Sequence, residues 1–251
     1  MKMNKLNDLY KNIRNIKKIH KLNNFYKNIR TIEKIKNGSN TQITSNIHET
    51  SISKLINKTF DTIDLNPLIF KKVMSENGIK IKSRTKHCDD LIIKCNGMVN
   101  VTKPNLFKSE LKEKQNFLVH QPSGSQDYPD FILGSYIKND KVCYLTYIEC
   151  KQLIPSFNNN PPKRNKYCIY ICGNHIYNGY LLSTIPMEEK INKYKMELKS
   201  LCDKYTDDEL KFVPYKKIEY NWDGNGPICF ESNKINNIPL LNNCLSRHLH
   251  L

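Results

Sequence analysis

A short run of aromatic and β-branched residues at positions 142–148, VCYLTYI, constrains the fold of this chain more than any other segment. Such a composition is typical of a β-strand that packs in a core. The run follows a polar segment, KNDK at 138–141, which in turn follows an apolar run at 131–133. Two apolar runs joined by a short polar connection predict an antiparallel β-hairpin near the middle of the chain.

The hairpin carries charged residues at the end opposite its turn. Asp130 precedes the first strand, and Glu149 closes the second, with Lys151 two residues later. Side chains on a strand alternate with a period of two, so Glu149 and Lys151 are expected on one face. Antiparallel pairing brings Asp130 close to Glu149. Two carboxylates repel unless a cation neutralises them, and Mg²⁺ takes one or two protein carboxylates and fills its other positions with water and phosphate.

The order Pro129-Asp130, then Glu149-Cys150-Lys151 nineteen residues further on, resembles the motif of the PD-(D/E)xK nuclease superfamily. Gly124-Ser125-Gln126 before Tyr128-Pro129-Asp130-Phe131 is similar, more narrowly, to type II restriction endonucleases. The resemblance implies an α/β (α+β) fold, in which a restriction-endonuclease-like mixed β-sheet is flanked by helices. It also implies Mg²⁺-dependent, site-specific hydrolysis of phosphodiester bonds in double-stranded DNA.

The resemblance also implies a role for each residue of the motif. Asp130 and Glu149 would hold Mg²⁺ together with the backbone carbonyl of Cys150. Lys151 would orient the attacking water, deprotonate it or stabilise the pentavalent phosphorus. Glu49, on a helix before the sheet, is the candidate for an acidic residue that assists metal binding. The alternative is that Glu49 only complements the N-terminus of its helix.

Residues near the motif are candidates for contacts with DNA. The resemblance implies that Ser125 and Gln126 shape the approach to the scissile phosphate, with Asp127 as a reserve carboxylate. A polar, proline-containing loop after Lys151 holds three further basic candidates: Lys163, Arg164 and Lys166. Loops placed by a rigid sheet often carry recognition, and arginine can read guanine in the major groove. The alternative is an exposed loop without a role.

The charge of the chain favours a polyanionic partner. It has 40 Lys and Arg against 24 Asp and Glu, a formal net charge of +16. Such a surplus attracts phosphates but does not by itself choose between DNA, RNA and an acidic membrane, and an AT-rich genome accounts for part of the lysine excess. From the resemblance we expect double-stranded DNA as partner, a homodimer with two active sites, and a cognate DNA methyltransferase acting on the same site.

Two other functions are compatible with the same residues. A structure-selective DNA nuclease, such as a junction resolvase or a repair enzyme, would use the same motif on branched or damaged DNA. A non-catalytic nucleic-acid-binding protein would need only the basic charge, and the motif would then be an ordinary hairpin with a solvated Glu–Lys pair.

The cysteines and the hydropathy predict a reducing compartment and no membrane. Nine cysteines occur with irregular spacing and no CxxC pair, which is typical of free, buried thiols rather than of disulfides or a zinc site. No apolar run approaches the length of a membrane span. We therefore expect a cytoplasmic protein, or a protein of the virion or the host-cell interior if the source is viral.

The N-terminal segment contains a repeat, YKNIRNIKKI at 10–19 and YKNIRTIEKI at 26–35. Its isoleucine spacing predicts a basic helix. A Gly-Ser-Asn turn at 38–40 places a boundary near residue 40, so that 1–40 is a basic helical extension and 41–251 the nuclease domain. The extension could lie along phosphates, pack on a partner, or be a local duplication without a role.

The rest of the chain predicts alternating helices and strands. Capping and turn signals predict the following elements: a helix over 45–60 with Glu49 in its first turn, a helix from Pro67 to Gly78, a hairpin of 91–95 and 98–101 around Asn96-Gly97, a short helix over 105–114, a buried strand over 167–172, a strand over 176–185 and a helix over 186–204.

Overall fold

The structure, a computed structural model, describes residues 2–32, 41–81, 89–103, 111, 114–124, 128–151, 156–158, 165–181, 193, 196–197, 200, 203–204, 206, 219–221 and 234–250. Its helices are α1 (Lys2–Arg30), α2 (Thr41–Phe60), α3 (Pro67–Glu76), α4 (Asp89–Cys95) and α5 (Lys234–Leu245), with 3₁₀ turns at Gly179–Leu181 and Ser246–His248. Its strands are β1 (Thr62–Asp64), β2 (Met98–Asn100), β3 (Lys114–His120), β4 (Phe131–Ile137), β5 (Val142–Lys151), β6 (Ser156–Asn158), β7 (Cys168–Cys172), β8 (His175–Asn178) and β9 (Glu219–Asn221).

Seven strands form one mixed sheet in the order β1-β3-β4-β5-β7-β8, with β2 added to one edge of β5. Strands β3, β4 and β5 pair antiparallel, whereas β1 runs parallel to β3 and β7 runs parallel to β5. Strand β2 occupies the first part of the β5 edge and β7 the second part. Strands β6 and β9 form a separate antiparallel pair. The prediction of a mixed sheet flanked by helices is confirmed.

Strand β5 lies between two hydrophobic clusters, which explains its nearly continuous apolar sequence. Leu145 and Tyr147 pack into a cluster that includes side chains of α3 and α4. Ile148 and Cys150 point the other way, into a cluster formed with α1, α2 and α5. A strand buried on both faces has no need for alternating polar residues.

The hairpin predicted around Asn96 and Gly97 is wrong in its first strand. Residues Asp89–Cys95 form helix α4, in which Leu91 and Ile92 are buried and Lys94 is exposed. Asn96 and Gly97 follow the helix with positive φ angles of 43° and 75°. Strand β2 then pairs with β5 instead of with the preceding segment. An apolar run this short is compatible with either helix or strand, and the tertiary contacts decided it.

Helix α2 begins at Thr41, so the predicted helix over 45–60 is confirmed but its predicted start is wrong. Glu49 is therefore eight residues into the helix and not in its first turn. The interpretation that Glu49 complements the helix N-terminus is wrong for the same reason, because that interaction acts only within the first turn.

The prediction for α3 is confirmed. Asn66 caps the helix by accepting a hydrogen bond from the backbone N–H of Leu68 at 2.8 Å, and Pro67 occupies the first position. Gly78 follows the helix with a φ angle of +83°, a conformation that glycine adopts without strain. The sequence signals for start and stop were both local, so this helix could be read without tertiary information.

Two predictions after β5 are confirmed only in part. Strand β7 is fully buried, as expected for 167–172. Strand β8 ends at Asn178 and continues into a 3₁₀ turn, so the predicted strand to 185 is too long within the described residues. Residues 193, 196, 197 and 200 are helical, in agreement with the predicted helix, whereas most of 186–204 lies outside the described residues. The predicted short helix over 105–114 also lies largely outside them.

Helix α1 confirms that the N-terminal segment is helical, and its second half packs against α2, α5 and one face of the sheet. Leu22, Phe25, Tyr26 and Ile29 are buried in the cluster shared with α2 and α5. The Tyr26 hydroxyl donates a hydrogen bond to Oδ1 of Asn242 at 2.9 Å. The second half of the extension thus contributes to the core, and the domain boundary near residue 40 stays a prediction. No helix within the described part of the chain is long and apolar enough to cross a membrane.

Candidate active site

The hairpin of β4 and β5 brings the predicted motif together. Phe131, the first residue of β4, pairs with Ile148 of β5. Asp130 precedes β4, and its carbonyl accepts a hydrogen bond at 2.7 Å from the backbone N–H of Gln121, just after β3. Strand β5 continues for three residues beyond its last pair with β4. Asp130 and the Glu149-Cys150-Lys151 segment therefore meet at one end of the sheet, as the sequence predicted.

A short hydrogen bond holds Asp130 against β5. The backbone N–H of Cys150 donates to Oδ2 of Asp130 at 2.6 Å. Burial, followed by the negative charge of Glu149, raises the pKa of Asp130 to about 8, whereas the Cys150 amide and Lys151 oppose this rise. Without a metal ion, protonation of Asp130 therefore relieves the repulsion between the two carboxyl groups that Lys151 leaves uncompensated.

Glu149 and Lys151 form an ion pair on one face of β5. The Lys151 Nζ donates to Oε1 of Glu149 at 2.6 Å, with 28% and 11% of the two side chains exposed. Burial raises the pKa of Glu149, and Lys151 opposes that rise. Burial lowers the pKa of Lys151, but Glu149 and Asp130 raise it more, so its pKa lies above the ordinary lysine value. Lys151 is thus a cation at neutral pH, suited to orienting groups and not to accepting a proton.

Glu49 extends the acidic cluster from the helix side. It is half-buried on α2, and its charge raises the pKa of both Asp130 and Glu149. Helix α2 packs through Ile52 and Ile56 into the same cluster as Ile148 and Cys150 of β5. The structure therefore brings Glu49 within electrostatic reach of both carboxylates, although it is more than 80 residues away from them in the sequence.

The donor atoms present fit a hard divalent cation. Among the residues that the structure places, no group of three or more His, Cys, Asp or Glu side chains has the spacing of a metal site. Mg²⁺ needs fewer, because one or two carboxylates are enough when water and phosphate complete its coordination. Oε2 of Glu149 is buried and has no hydrogen-bond partner, so one carboxylate oxygen remains for a cation.

The backbone of Cys150 adds a further oxygen on the same side. The N–H and C=O of one strand residue point to the same strand edge, and the Cys150 N–H points to Asp130. The backbone groups of the two flanking residues point to the other edge of β5. There the backbone carbonyl of Lys151 accepts a hydrogen bond at 2.7 Å from the N–H of Gly173, just after β7. The carbonyl of Cys150 thus belongs to the edge where Asp130 lies. The three ligands that the resemblance implies for Mg²⁺ thus lie at one end of the sheet, and their binding of a metal stays a prediction.

The proposed DNA contacts are mostly outside the described residues. Ser125, Gln126 and Asp127 are among those not described, and so are Lys163 and Arg164. Lys166 is described and exposed, and its Nζ lies 5.0 Å from the ring centroid of Tyr167.

Lys166 lies away from the carboxylates. It precedes the start of β7, whereas Lys151 pairs with Cys172 at the end of that strand. The length of β7, about 13 Å for five residues, separates the two lysines. A contact of Lys166 with DNA stays a prediction, and it would be made at a distance from the carboxylates.

Sequence reasoning missed two neighbours of the site. His120 Nε2 and Asp64 Oδ1 lie 3.2 Å apart, within hydrogen-bond distance, and His120 is paired with Phe131, next to Asp130. Tyr128 packs with its ring centroid 6.0 Å from that of Tyr170, and burial raises the pKa of its phenol well above the ordinary value. No local signal points to His120 and Asp64, because they meet through the parallel pairing of β1 with β3.

Comparison of the chain with protein-family models, with curated proteins and with solved structures found no match. The case for a function therefore depends on the residues of this chain.

Proposed function

We propose that this protein is a Mg²⁺-dependent endonuclease that hydrolyses phosphodiester bonds of double-stranded DNA. The observation that carries the proposal is the convergence of Asp130, Glu149 and Lys151 at the end of the β4–β5 hairpin, with one buried carboxylate oxygen of Glu149 unpartnered. Two carboxylates and one ammonium in this arrangement are suited to phosphoryl chemistry, because the reaction develops negative charge that must be neutralised.

Each residue has a defined part in the proposed reaction. Asp130, Glu149 and the carbonyl of Cys150 would hold Mg²⁺, with Glu49 adding negative charge beside them. The bound cation would supply a Lewis acid and an activated water. The Lys151 ammonium, kept protonated by its two acidic neighbours, would orient that water and stabilise charge on the phosphoryl oxygens. The hydrogen bond from Cys150 would keep Asp130 in place throughout.

We further propose that cleavage is site-specific, as in type II restriction endonucleases, and that the protein acts as a homodimer alongside a cognate methyltransferase. The motif and its context support this finer proposal, together with a net charge of +16 that favours a DNA partner. A symmetric dimer would supply two active centres, one for each strand of the duplex.

The test is incubation of the purified protein with plasmid and bacteriophage DNA in Mg²⁺, alongside Asp130→Ala and Lys151→Ala. Asp140→Ala and Lys141→Ala are matched controls, because these residues lie in the turn at the other end of the same hairpin. Discrete fragments from the parent protein and both controls, and none from the two site variants, are the expected result.

The other outcomes separate the alternatives. A smear of DNA fragments that is absent with the site variants would support a nuclease with this active site but would reject site-specific cleavage. Preferential cleavage of a branched duplex over linear DNA would indicate a structure-selective nuclease. Absence of cleavage, or cleavage that persists in both site variants, would reject the proposed active site. A gel shift without cleavage would then leave a non-catalytic nucleic-acid-binding protein.

A further inference from the structure

Helix α1 consists of two halves that differ in burial. Leu22, Phe25, Tyr26 and Ile29 are buried, and the ring centroid of Phe25 lies 5.3 Å from that of Phe60 on α2. In the first half, every residue from 10 to 17 is exposed. Eight consecutive residues make more than two helical turns. No side of the helix is therefore packed against the rest of the described chain over this stretch.

The N-terminal two thirds of α1 are strongly basic. Helix α1 contains nine Lys and Arg residues and a single acidic residue, Asp8. Seven of the nine lie in residues 2–21, which we call the basic arm: Lys2, Lys5, Lys11, Arg14, Lys17, Lys18 and Lys21. The arm alone carries a formal charge of +6, out of +16 for the whole chain. The excess of positive charge is thus concentrated in the part of α1 that includes the exposed residues 10–17.

Four of these cations form one strip along the arm. Lys11, Arg14, Lys18 and Lys21 follow each other at intervals of three, four and three residues, so they lie on one side of the helix. The strip spans about 15 Å at 1.5 Å per residue. It continues onto the body, because both Lys18 and Lys114, at the start of β3, are close enough to His250 to lower its pKa, in addition to the effect of burial.

Three of the four cations in the strip lack the acidic neighbours that normally stabilise an exposed basic helix, whereas Lys11 has Asp8 three residues before it. The positions three and four residues from Arg14, Lys18 and Lys21 hold no Asp or Glu. Like charges at this spacing repel and destabilise a helix, and residues 10–17 have no packing that compensates, whereas Lys18 and Lys21 are half-buried. A solvated helix face usually mixes both signs. A polyanion lying along the strip would remove the repulsion and release counterions.

We propose that the basic arm binds the phosphate backbone of duplex DNA along the strip formed by Lys11, Arg14, Lys18 and Lys21. The choice of duplex DNA as the polyanion rests on the proposed function. Lys114, near the end of the strip, lies about 20 Å along β3 from His120, which is beside Asp130, so this end of the strip is separated from the carboxylates by the length of a strand. The arm therefore contributes to DNA affinity and not to the chemical step.

A competing occupant is a second copy of the chain. Ile13 and Ile16, with 41% and 66% of their surfaces exposed, lie on the side of the arm away from the strip. Two arms could pair through these residues. Two isoleucines per arm bury little apolar surface, and both arms carry the same charge, so self-pairing is disfavoured relative to DNA.

The experiment measures binding of a labelled duplex of about 30 base pairs by fluorescence anisotropy in EDTA, over a range of KCl concentrations. The variant K11Q/R14Q/K18Q/K21Q is compared with K54Q/K58Q/K138Q/K141Q, which removes four exposed lysines elsewhere. Glutamine is a good helix former, and far-UV circular dichroism checks that α1 persists. We expect the arm variant to bind the duplex at least about tenfold more weakly than the parent protein at 0.1 M salt. The slope of log binding constant against log KCl concentration should be less negative than that of the parent protein by about 3 to 4.

Equal losses in the two variants would show that only net charge matters and would overturn the proposal. Unchanged binding in the arm variant would overturn it too. If, in that case, the variant Ile13→Asn/Ile16→Asn has a lower oligomer mass than the parent protein by analytical ultracentrifugation, the arm mediates self-association. The assay in EDTA does not depend on cleavage. If the protein binds DNA through the arm but never cleaves it, the proposed nuclease function is rejected and the proposed DNA binding by the arm stands. If it cleaves DNA but binding does not depend on the arm, only the proposal for the arm is rejected.

Discussion

The backbone N–H of Cys150 donates a 2.6 Å hydrogen bond to Oδ2 of Asp130. The bond lies just past the Phe131–Ile148 pair, where β4 has not yet begun and this edge of β5 has no antiparallel partner. This bond joins the two parts of the motif. It exists because β5 extends three residues past its last pair with β4, so that the edge of Cys150 is open to a side chain. The carboxylate of Asp130 is thereby held beside the Glu149–Lys151 pair.

The raised pKa of Asp130 predicts a pH dependence of stability in EDTA. Its pKa is about 8 in the folded protein against 3.8 for an ordinary aspartate, so the folded state binds more protons between these values. The free energy of unfolding should therefore fall as pH rises from about 4 to about 8. In Asp130→Asn this contribution is absent. Urea unfolding of the parent protein and of Asp130→Asn across this pH range measures the difference. The contributions of the buried histidines to the pH dependence are the same in both proteins and cancel. Parallel curves would contradict the prediction.

The Glu149–Lys151 pair predicts a non-additive effect of substitutions. Lys151→Met should lower the free energy of unfolding by about 3 kcal/mol, because Glu149 remains buried without its cation. The double variant Glu149→Gln/Lys151→Met removes both charges and should recover most of this loss. Urea unfolding at pH 7 gives both values, with Lys141→Met as the exposed control. A double variant as unstable as Lys151→Met would show that the pair is not coupled.

The position of Glu49 predicts a role in affinity for the metal. Glu49→Gln should raise the Mg²⁺ concentration needed for half-maximal cleavage about tenfold, while the rate at saturating Mg²⁺ changes less than about threefold. The reason is that Glu49 adds negative charge near Asp130 and Glu149 without contacting the nucleophile. Glu76→Gln, at the end of α3, is the control. An unchanged Mg²⁺ dependence would leave Glu49 as an ordinary helix residue.

The sheet itself predicts a steric requirement at Gly134 of β4. A Cβ at this position would collide with the ring of Phe117 on the paired strand β3. Gly134→Ala should therefore lower the free energy of unfolding by about 1–3 kcal/mol. Phe117→Leu/Gly134→Ala should lose less than the sum of the two single substitutions, because the smaller side chain makes room. Thermal and urea unfolding measure this. Additive losses would show that the two residues do not compete for the same space.

Much of the site could be predicted from the sequence because it is local. Asp130, Glu149 and Lys151 belong to one hairpin, whose register follows from the turn and from the strand period of two. Pro67 at the start of α3 and Gly78 after its end were likewise recognised as local signals. In these cases the residues that decide the geometry are neighbours in the chain.

Other features depended on contacts between distant segments. The run 91–95 fits either a strand or a helix, and its packing against the sheet made it helix α4. Glu49 was expected in a first helical turn, but α2 begins four residues earlier than its cap signals indicated. Lys166 was expected near the motif, but the parallel direction of β7 puts the length of a strand between Lys166 and Lys151.

The sequence alone determined the hairpin, the order of its two carboxylates and its lysine, and the basic helix at the N-terminus. Tertiary structure alone decided that Glu49 lies within electrostatic reach of the same carboxylates, that His120 meets Asp64 near them, and that Leu22 and Ile29 of α1 are buried while residues 10–17 are exposed. The physical reason is range: strand period, turns and caps act over a few residues, whereas parallel pairing and helix packing depend on the burial of apolar surface contributed by the whole chain.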